Sequence, residues 1–167
     1  MNPSSVAPPP EHFELAPRAA LDEIEPLLEA DRELFVGMLG MTVEEMRRGY
    51  ARVRLPFRSC LLQGAGVVNG GVIASLLDFC PVPALLLARH PEPSGPTVDL
   101  HVQFHGAVVD EDMIGIGWIT TLTRTIAFAR AEVVTDTGRL VAVGTHTFKL
   151  RAAPHPHGDS TSAKLAG

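Results

Sequence analysis

From Val72 to Ala88 the chain is apolar at every position except Ser75 and Asp78. A helix over this run carries apolar residues around its whole circumference, so other structure must wrap it. The glycine-rich stretch QGAGVVNGG leads into it, and the pattern predicts a central helix over about 70–90. Upstream, Leu21, Ile24, Leu27, Leu28, Leu34 and Phe35 recur with a rough helical period between Arg18 and Val36. Pro26 lies near a break, which leaves one kinked helix or two short ones. Weak alternation around Gly49 predicts a hairpin of strands at about 41–47 and 50–56. Downstream of the helix, Val98, Leu100, Val102 and Phe104 alternate with Thr97, Asp99, His101, Gln103 and His105. That pattern predicts a strand with the apolar set on the core face. Residues 113–123 predict another strand, whose Gly115 and Gly117 mark a close approach by a neighbouring element. Strands at 125–134 and 139–151 follow, joined by the turn residues Asp136, Thr137 and Gly138.

Successive strands with short turns make an antiparallel meander, and a one-faced sheet needs a cover. The central helix is the element apolar enough to provide it. The expected architecture is therefore α+β: a curled antiparallel sheet of about five to six strands around one long helix, with an N-terminal helical extension. The helix is too apolar for one sheet to cover completely, which predicts association with a second copy. The chain has 167 residues and is 46% hydrophobic, enough for one domain with a proper core. We expect that domain at 18–152, between disordered proline- and serine-rich tails at 1–17 and 153–167.

Charge and cysteine content narrow the class. The apolar run at 72–88 is shorter than a membrane span and is interrupted by Asp78, Pro81 and Pro83, so no membrane role is expected. A net charge of −5 without a basic block argues against nucleic-acid binding. Cys60 and Cys80 form no CxxC pair and read as reduced, structural thiols of a cytoplasmic protein. His101 and His105 are separated by about 13 Å along a strand, too far to share one ion, and no metal or other cofactor is implied. His146 reads as a strand histidine with a satisfied hydrogen bond.

The chemical candidate is Asp78. An unpaired carboxylate in apolar surroundings is expensive, and its retention needs a reason. It either caps a helix break before Pro81 or takes part in a reaction. Gly70 and Gly71 are simple turn glycines, or they leave backbone N–H groups bare at the positive end of the helix dipole, where an oxyanion is favoured. Ser75 shares a helix face with Asp78, but no base is visible to activate it.

These residues resemble the motif of the hotdog-fold acyl-CoA thioesterases, the type that includes phenylacetyl-CoA and hydroxybenzoyl-CoA thioesterases. That motif has an amide residue, a His-Gly-Gly beginning six positions later, and a carboxylate seven positions after the second glycine. Gln63, Gly70, Gly71 and Asp78 match it, and the likeness extends over about Phe35–Leu150, including TVDLHVQF and RLVAVGTHTFKL. The resemblance implies hydrolysis of an acyl-CoA substrate, with Asp78 as general base or nucleophile and the Gly70 N–H polarising the carbonyl. It also implies substrate-facing roles for Gln63, Gly71 and Ser75, and a supporting hydroxyl at Thr97. Asn69 departs from the pattern: it hydrogen-bonds but does not titrate as histidine does. In an ideal helix Gly70 and Asp78 are about 12 Å apart along the axis. The family's packing of two central helices implies that a homodimer, or a dimer of dimers, brings Asp78 of one subunit to Gly70 of the other. Arg89, Arg124, Arg130 and Arg151 are either ordinary surface arginines or include a clamp for the coenzyme A phosphates. The competing readings are a hotdog dehydratase or hydratase, for which Asn69 removes the obvious histidine, and a non-catalytic acyl-thioester-binding protein.

Overall fold

The computed structural model describes residues 5–28, 33–91 and 95–150. The expected C-terminal tail at 153–167 lies outside the described residues. In chain order the elements are α1 (Arg18–Leu28), α2 (Phe35–Leu39), β1 (Thr42–Arg47), β2 (Tyr50–Leu55), α3 (Gly70–Phe79) and α4 (Pro81–Arg89). They continue as β3 (Thr97–Phe104), β4 (Met113–Leu122), β5 (Ile126–Thr135) and β6 (Leu140–Lys149). All six strands form one sheet in the order β1-β2-β4-β5-β6-β3, every pair antiparallel. This is the expected α+β hotdog arrangement. The strand that follows the helix joins the far end of the meander, and among the described residues no strand pairs with the outer side of β3.

The helix crosses the inner face of the sheet: α4 packs on β1, β2 and β4, and α3 on β3, β5 and β6. Ile73, Leu76 and Leu77 point from α3 into a core with Val53, Leu55, Met113, Val133 and Ala142. On the other side of α4, Ala20 and Ile24 of α1 close over Leu87. The helix runs through Pro81 and Pro83, over the span that the apolar pattern predicts. Cys80 stays in right-handed helical geometry and donates its N–H to the Leu76 carbonyl at 3.0 Å. Pro81 then falls in the first turn of α4, where a missing N–H costs nothing. Gly70–Arg89 thus runs for 20 residues, long and apolar enough to cross a membrane by length and composition, and half of it is buried inside the fold. Gly115 and Gly117 make the approach possible. A Cβ on Gly117 would lie 2.4 Å from the Pro81 nitrogen, and one on Gly115 would lie 3.0 Å from Cys80 and Leu76.

Two sequence expectations change. Residues 5–17, expected to be disordered, have a defined course. Ser5 Oγ donates to a Glu132 carboxylate oxygen at 2.6 Å, and the Val6 N–H reaches the same carboxylate at 3.0 Å. Phe13 lies against Tyr50, with ring centroids 5.3 Å apart. The segment covers an apolar outer face of the sheet, where Ile114, Ile116, Trp118 and Val134 are buried, and supplies donors to the buried Glu132. The second change is in β3. Its alternation is broken by a bulge between Thr97 and Asp99, so Thr97 pairs with Phe148 while Leu100 pairs with His146. Val98 becomes the extra residue and is 57% exposed, and Thr97 turns to the inner face that the alternation assigned to Val98.

Candidate functional site

The N-terminal end of α3 is assembled from local sequence. Leu62 bridges to Val68, and between them the Gln63 N–H donates to the Val67 carbonyl at 2.8 Å. The Gly66 N–H returns to the Gln63 carbonyl at 2.9 Å, with Gly66 at a φ of 75°. This turn delivers Asn69 to the N-cap position. Its Oδ1 accepts the Gly71 N–H at 2.7 Å, and its carbonyl accepts from Val72 and Ile73 at 3.0 and 3.3 Å. Asn69 therefore does what a capping residue does and consumes the Gly71 donor. No described residue accepts the N–H of Gly70. Gly70 is half-buried beside the Phe104 ring, which would lie 3.5 Å from a Cβ placed there, while Gln63 and Gly71 are exposed. A free N–H at a helix N-terminus is a donor for a negatively charged oxygen.

The Asp78 end is assembled from distant sequence. Thr97 Oγ1 donates to Asp78 Oδ1 at 2.9 Å, a contact made possible by the bulge that turns Thr97 inward. Asp78 does not cap the helix break, because the Cys80 N–H is already bound to Leu76 and the backbone continues into α4. It is a half-buried carboxylate steadied by one hydroxyl. Ser75 Oγ donates to the Gly71 carbonyl at 2.7 Å, four residues back, which accounts for that hydroxyl within the helix itself.

His146 differs from the sequence expectation. It is 2% exposed, and neither ring nitrogen has a hydrogen-bond partner among the described residues. Burial pushes its pKa below the usual histidine value, against the opposing pull of the Asp78 carboxylate, the Leu77 carbonyl and Asp99. The ring stacks with Phe148 at a centroid distance of 5.9 Å and lies over Gly144, where a Cβ would be 3.1 Å from its Cε1. Alternation along β6 shows that His146 faces inward, but nothing local marks its neighbour as Asp78. The cysteines also diverge. Cys80 is buried, and burial pushes its thiol up, whereas Cys60 is exposed. Arg124 and Arg130 are exposed, and Arg151 lies outside the described residues.

Within one chain the two ends of α3 remain apart, at about 12 Å of helical rise. Cavities of about 670 and 1050 Å³ lie beside α2 and between α1 and β1, and none of Gln63, Asn69, Gly70, Gly71, Ser75, Asp78 or Thr97 lines either one. On β3, Val98 and Phe104 are exposed.

Comparison with known proteins places this arrangement. Residues 65–142 match the sequence model described as the Thioesterase superfamily. A Saccharolobus solfataricus protein named "Putative esterase SSO1253" is 31% identical over 65 residues, 39% of this chain. The match spans 42% of that relative's length. The fold is shared with the Escherichia coli PaaI protein from the phenylacetic acid degradation operon, at a TM-score of 0.70 and 15% identity, over 81% of this chain and 95% of that one. It is also shared with a hypothetical thioesterase from Streptococcus pneumoniae whose structure contains coenzyme A. That likeness has a TM-score of 0.61 and 19% identity, over 67% of this chain and 89% of the other. By its matched segment, residues 65–142, this chain is similar to the Thioesterase superfamily, and its fold is that of the hotdog thioesterases.

Proposed function

We propose that the protein hydrolyses acyl-CoA thioesters to the free acid and coenzyme A, in an active site shared between two copies of the chain. The observation that carries this reading is the division of labour along α3. One end holds the Gly70 N–H, a donor with no acceptor among the described residues, and the other holds a carboxylate oriented by Thr97. Antiparallel packing of two such helices joins the free donor of one copy to the carboxylate of the other. The open edge of β3, with Val98 and Phe104 exposed beside it, supports association on this side of the molecule. The coenzyme A in the Streptococcus pneumoniae relative supports an acyl-CoA as substrate, and the free thiols of Cys60 and Cys80 suit a cytoplasmic setting.

In this scheme the thioester carbonyl oxygen accepts the Gly70 N–H, which is strengthened by the helix dipole. Asp78, held by Thr97, takes a proton from water as the water oxygen bonds to the carbonyl carbon, or it attacks that carbon itself. The carbon–sulfur bond then breaks and the electron pair leaves on sulfur; in the first route the thiolate takes the proton that Asp78 removed from water, and in the second water hydrolyses the Asp78 acyl anhydride, which releases the acid, restores the carboxylate and supplies the thiolate's proton. Asn69 acts as the cap that holds Gly70 in place, so this chain has no need of an imidazole at that position. Gln63 and Gly71, exposed at the mouth, are the remaining candidates for touching substrate.

The test is thiol release from a panel of aryl and aliphatic acyl-CoA esters by the wild type and Asp78→Asn. Turnover by the wild type, with a loss of about 10²–10⁴-fold in the variant, is the expected result. Binding without turnover in either protein would replace this reading with that of an acyl-thioester carrier.

A further inference from the structure

His146 is a buried group that the mechanism above does not use. Among the described residues neither ring nitrogen has a hydrogen-bond partner, so the presence of this buried polar group calls for a physical reason. Three features fix the ring. Gly144 leaves the space it occupies, Phe148 stacks on it at 8° between the planes, and Leu100 pairs opposite it on β3. Phe148 in turn pairs with Thr97, whose hydroxyl holds Asp78. Along one strand face, next-but-one residues are about 7 Å apart, so the imidazole sits one step from the Thr97–Asp78 contact.

We propose that His146 is a positioning residue for Asp78: a buried imidazole beneath the carboxylate whose charge decides whether Asp78 is free to react or is drawn into an internal ion pair. While the ring is neutral, Asp78 is held by Thr97 alone and keeps its full reactivity toward water or the thioester. A proton on the ring places a cation behind the carboxylate, which weakens it as base or nucleophile. Among the described residues, the charges acting on the ring are Asp78 of α3 and, from the other face of the sheet, Asp99 of β3; both favour its protonation, while burial opposes it. Opposite His146 on the other side, β5 presents only Ala129. Because burial depresses the folded-state value, the unfolded chain takes up the proton first as pH falls. Stability from this site is therefore complete above about pH 6.5 and is lost below it.

The catalytic part of this inference rests on the hydrolase reading; the pairing of the two groups does not. The first measurement is an NMR titration of the His146 ring in the wild type and in Asp78→Asn. Removing the carboxylate is expected to lower the midpoint by about one pH unit, the effect of one charge at this range in a partly buried site. The second is kcat against pH for His146→Gln and, with the imidazole kept but displaced, Gly144→Ala. The fall in kcat between pH 8 and pH 5.5 is expected to be smaller by about threefold in His146→Gln than in the wild type. KM should move far less than kcat, because the ring is too buried to touch coenzyme A. An unchanged His146 midpoint in Asp78→Asn, or pH profiles that superimpose, would overturn the proposal while leaving the hydrolase reading intact. A wild type without turnover at any pH would end the hydrolase reading, and the titration would still decide the pair.

Discussion

The two ends of α3 are built in opposite ways. At Gly70 everything that shapes the site lies within a few residues: the turn at 63–67, the Asn69 cap and two glycines. At Asp78 the hydrogen-bond partner comes from far along the chain: Thr97, from a bulged edge strand that pairs with the last strand. A donor can be exposed by local capping geometry alone, because a helix N-terminus always has N–H groups to spare. A carboxylate in apolar surroundings needs partners that only the tertiary fold supplies. Substitutions at the two ends should therefore fail differently, the local end losing a single donor and the distant end losing orientation.

The largest effect is expected from Gly70→Pro. Asn69 has φ −62° and ψ 133°, the extended conformation that a residue before proline adopts. Proline is also favoured at the first helical position. The variant should fold with its thermal midpoint little changed and lose about 10²–10³-fold in kcat, the effect of deleting one oxyanion donor. Gly70→Ala is the control. Its Cβ would make only ordinary contact with Phe104 at 3.5 Å and it keeps the N–H, so its kcat should stay within a few-fold of wild type. Equal losses in both variants would mean that shape rather than the donor matters at this end.

Thr97→Val comes next. It preserves volume and strand preference and removes the hydroxyl bonded to Asp78 at 2.9 Å. We expect a loss of about tenfold in kcat with KM nearly unchanged, measured by steady-state kinetics, since an orienting bond acts on the reacting group rather than on binding. The smallest effect is expected from Asn69→Ala. Losing the cap should cost about 1 kcal/mol of stability by denaturant unfolding, while Asn69→Asp, which keeps an acceptor for the Gly71 N–H, should unfold close to wild type.

The same division decides what was legible in the sequence. The all-round apolar helix, the hairpin about Gly49, the meander and the α+β class follow from periodicity, because side-chain spacing records which face is buried. Gln63, Gly70, Gly71 and Asp78 stand out by spacing and by the motif they resemble. Three features were not legible. The bulge at Val98 shifts Thr97 by one face with no local signal, because strand alternation assumes an unbroken register. The ordering of residues 5–17 depends on Glu132, more than a hundred residues away. The environment of His146 depends on which strand lies under which turn of α3, and that is settled only once β3 takes its place beside β6.

The central claim is that each active site takes Gly70 from one copy and Asp78 from another, and subunit complementation tests it directly. Asp78→Asn and Gly70→Pro, each nearly inactive alone, are unfolded together, refolded as an equal mixture and assayed. If the site is shared in a two-fold dimer, half of the dimers are mixed and each mixed dimer holds one intact site, so activity should return to about a quarter of the wild-type value. Activity no higher than the sum of the two variants, with mixed dimers shown to form, would contradict the claim.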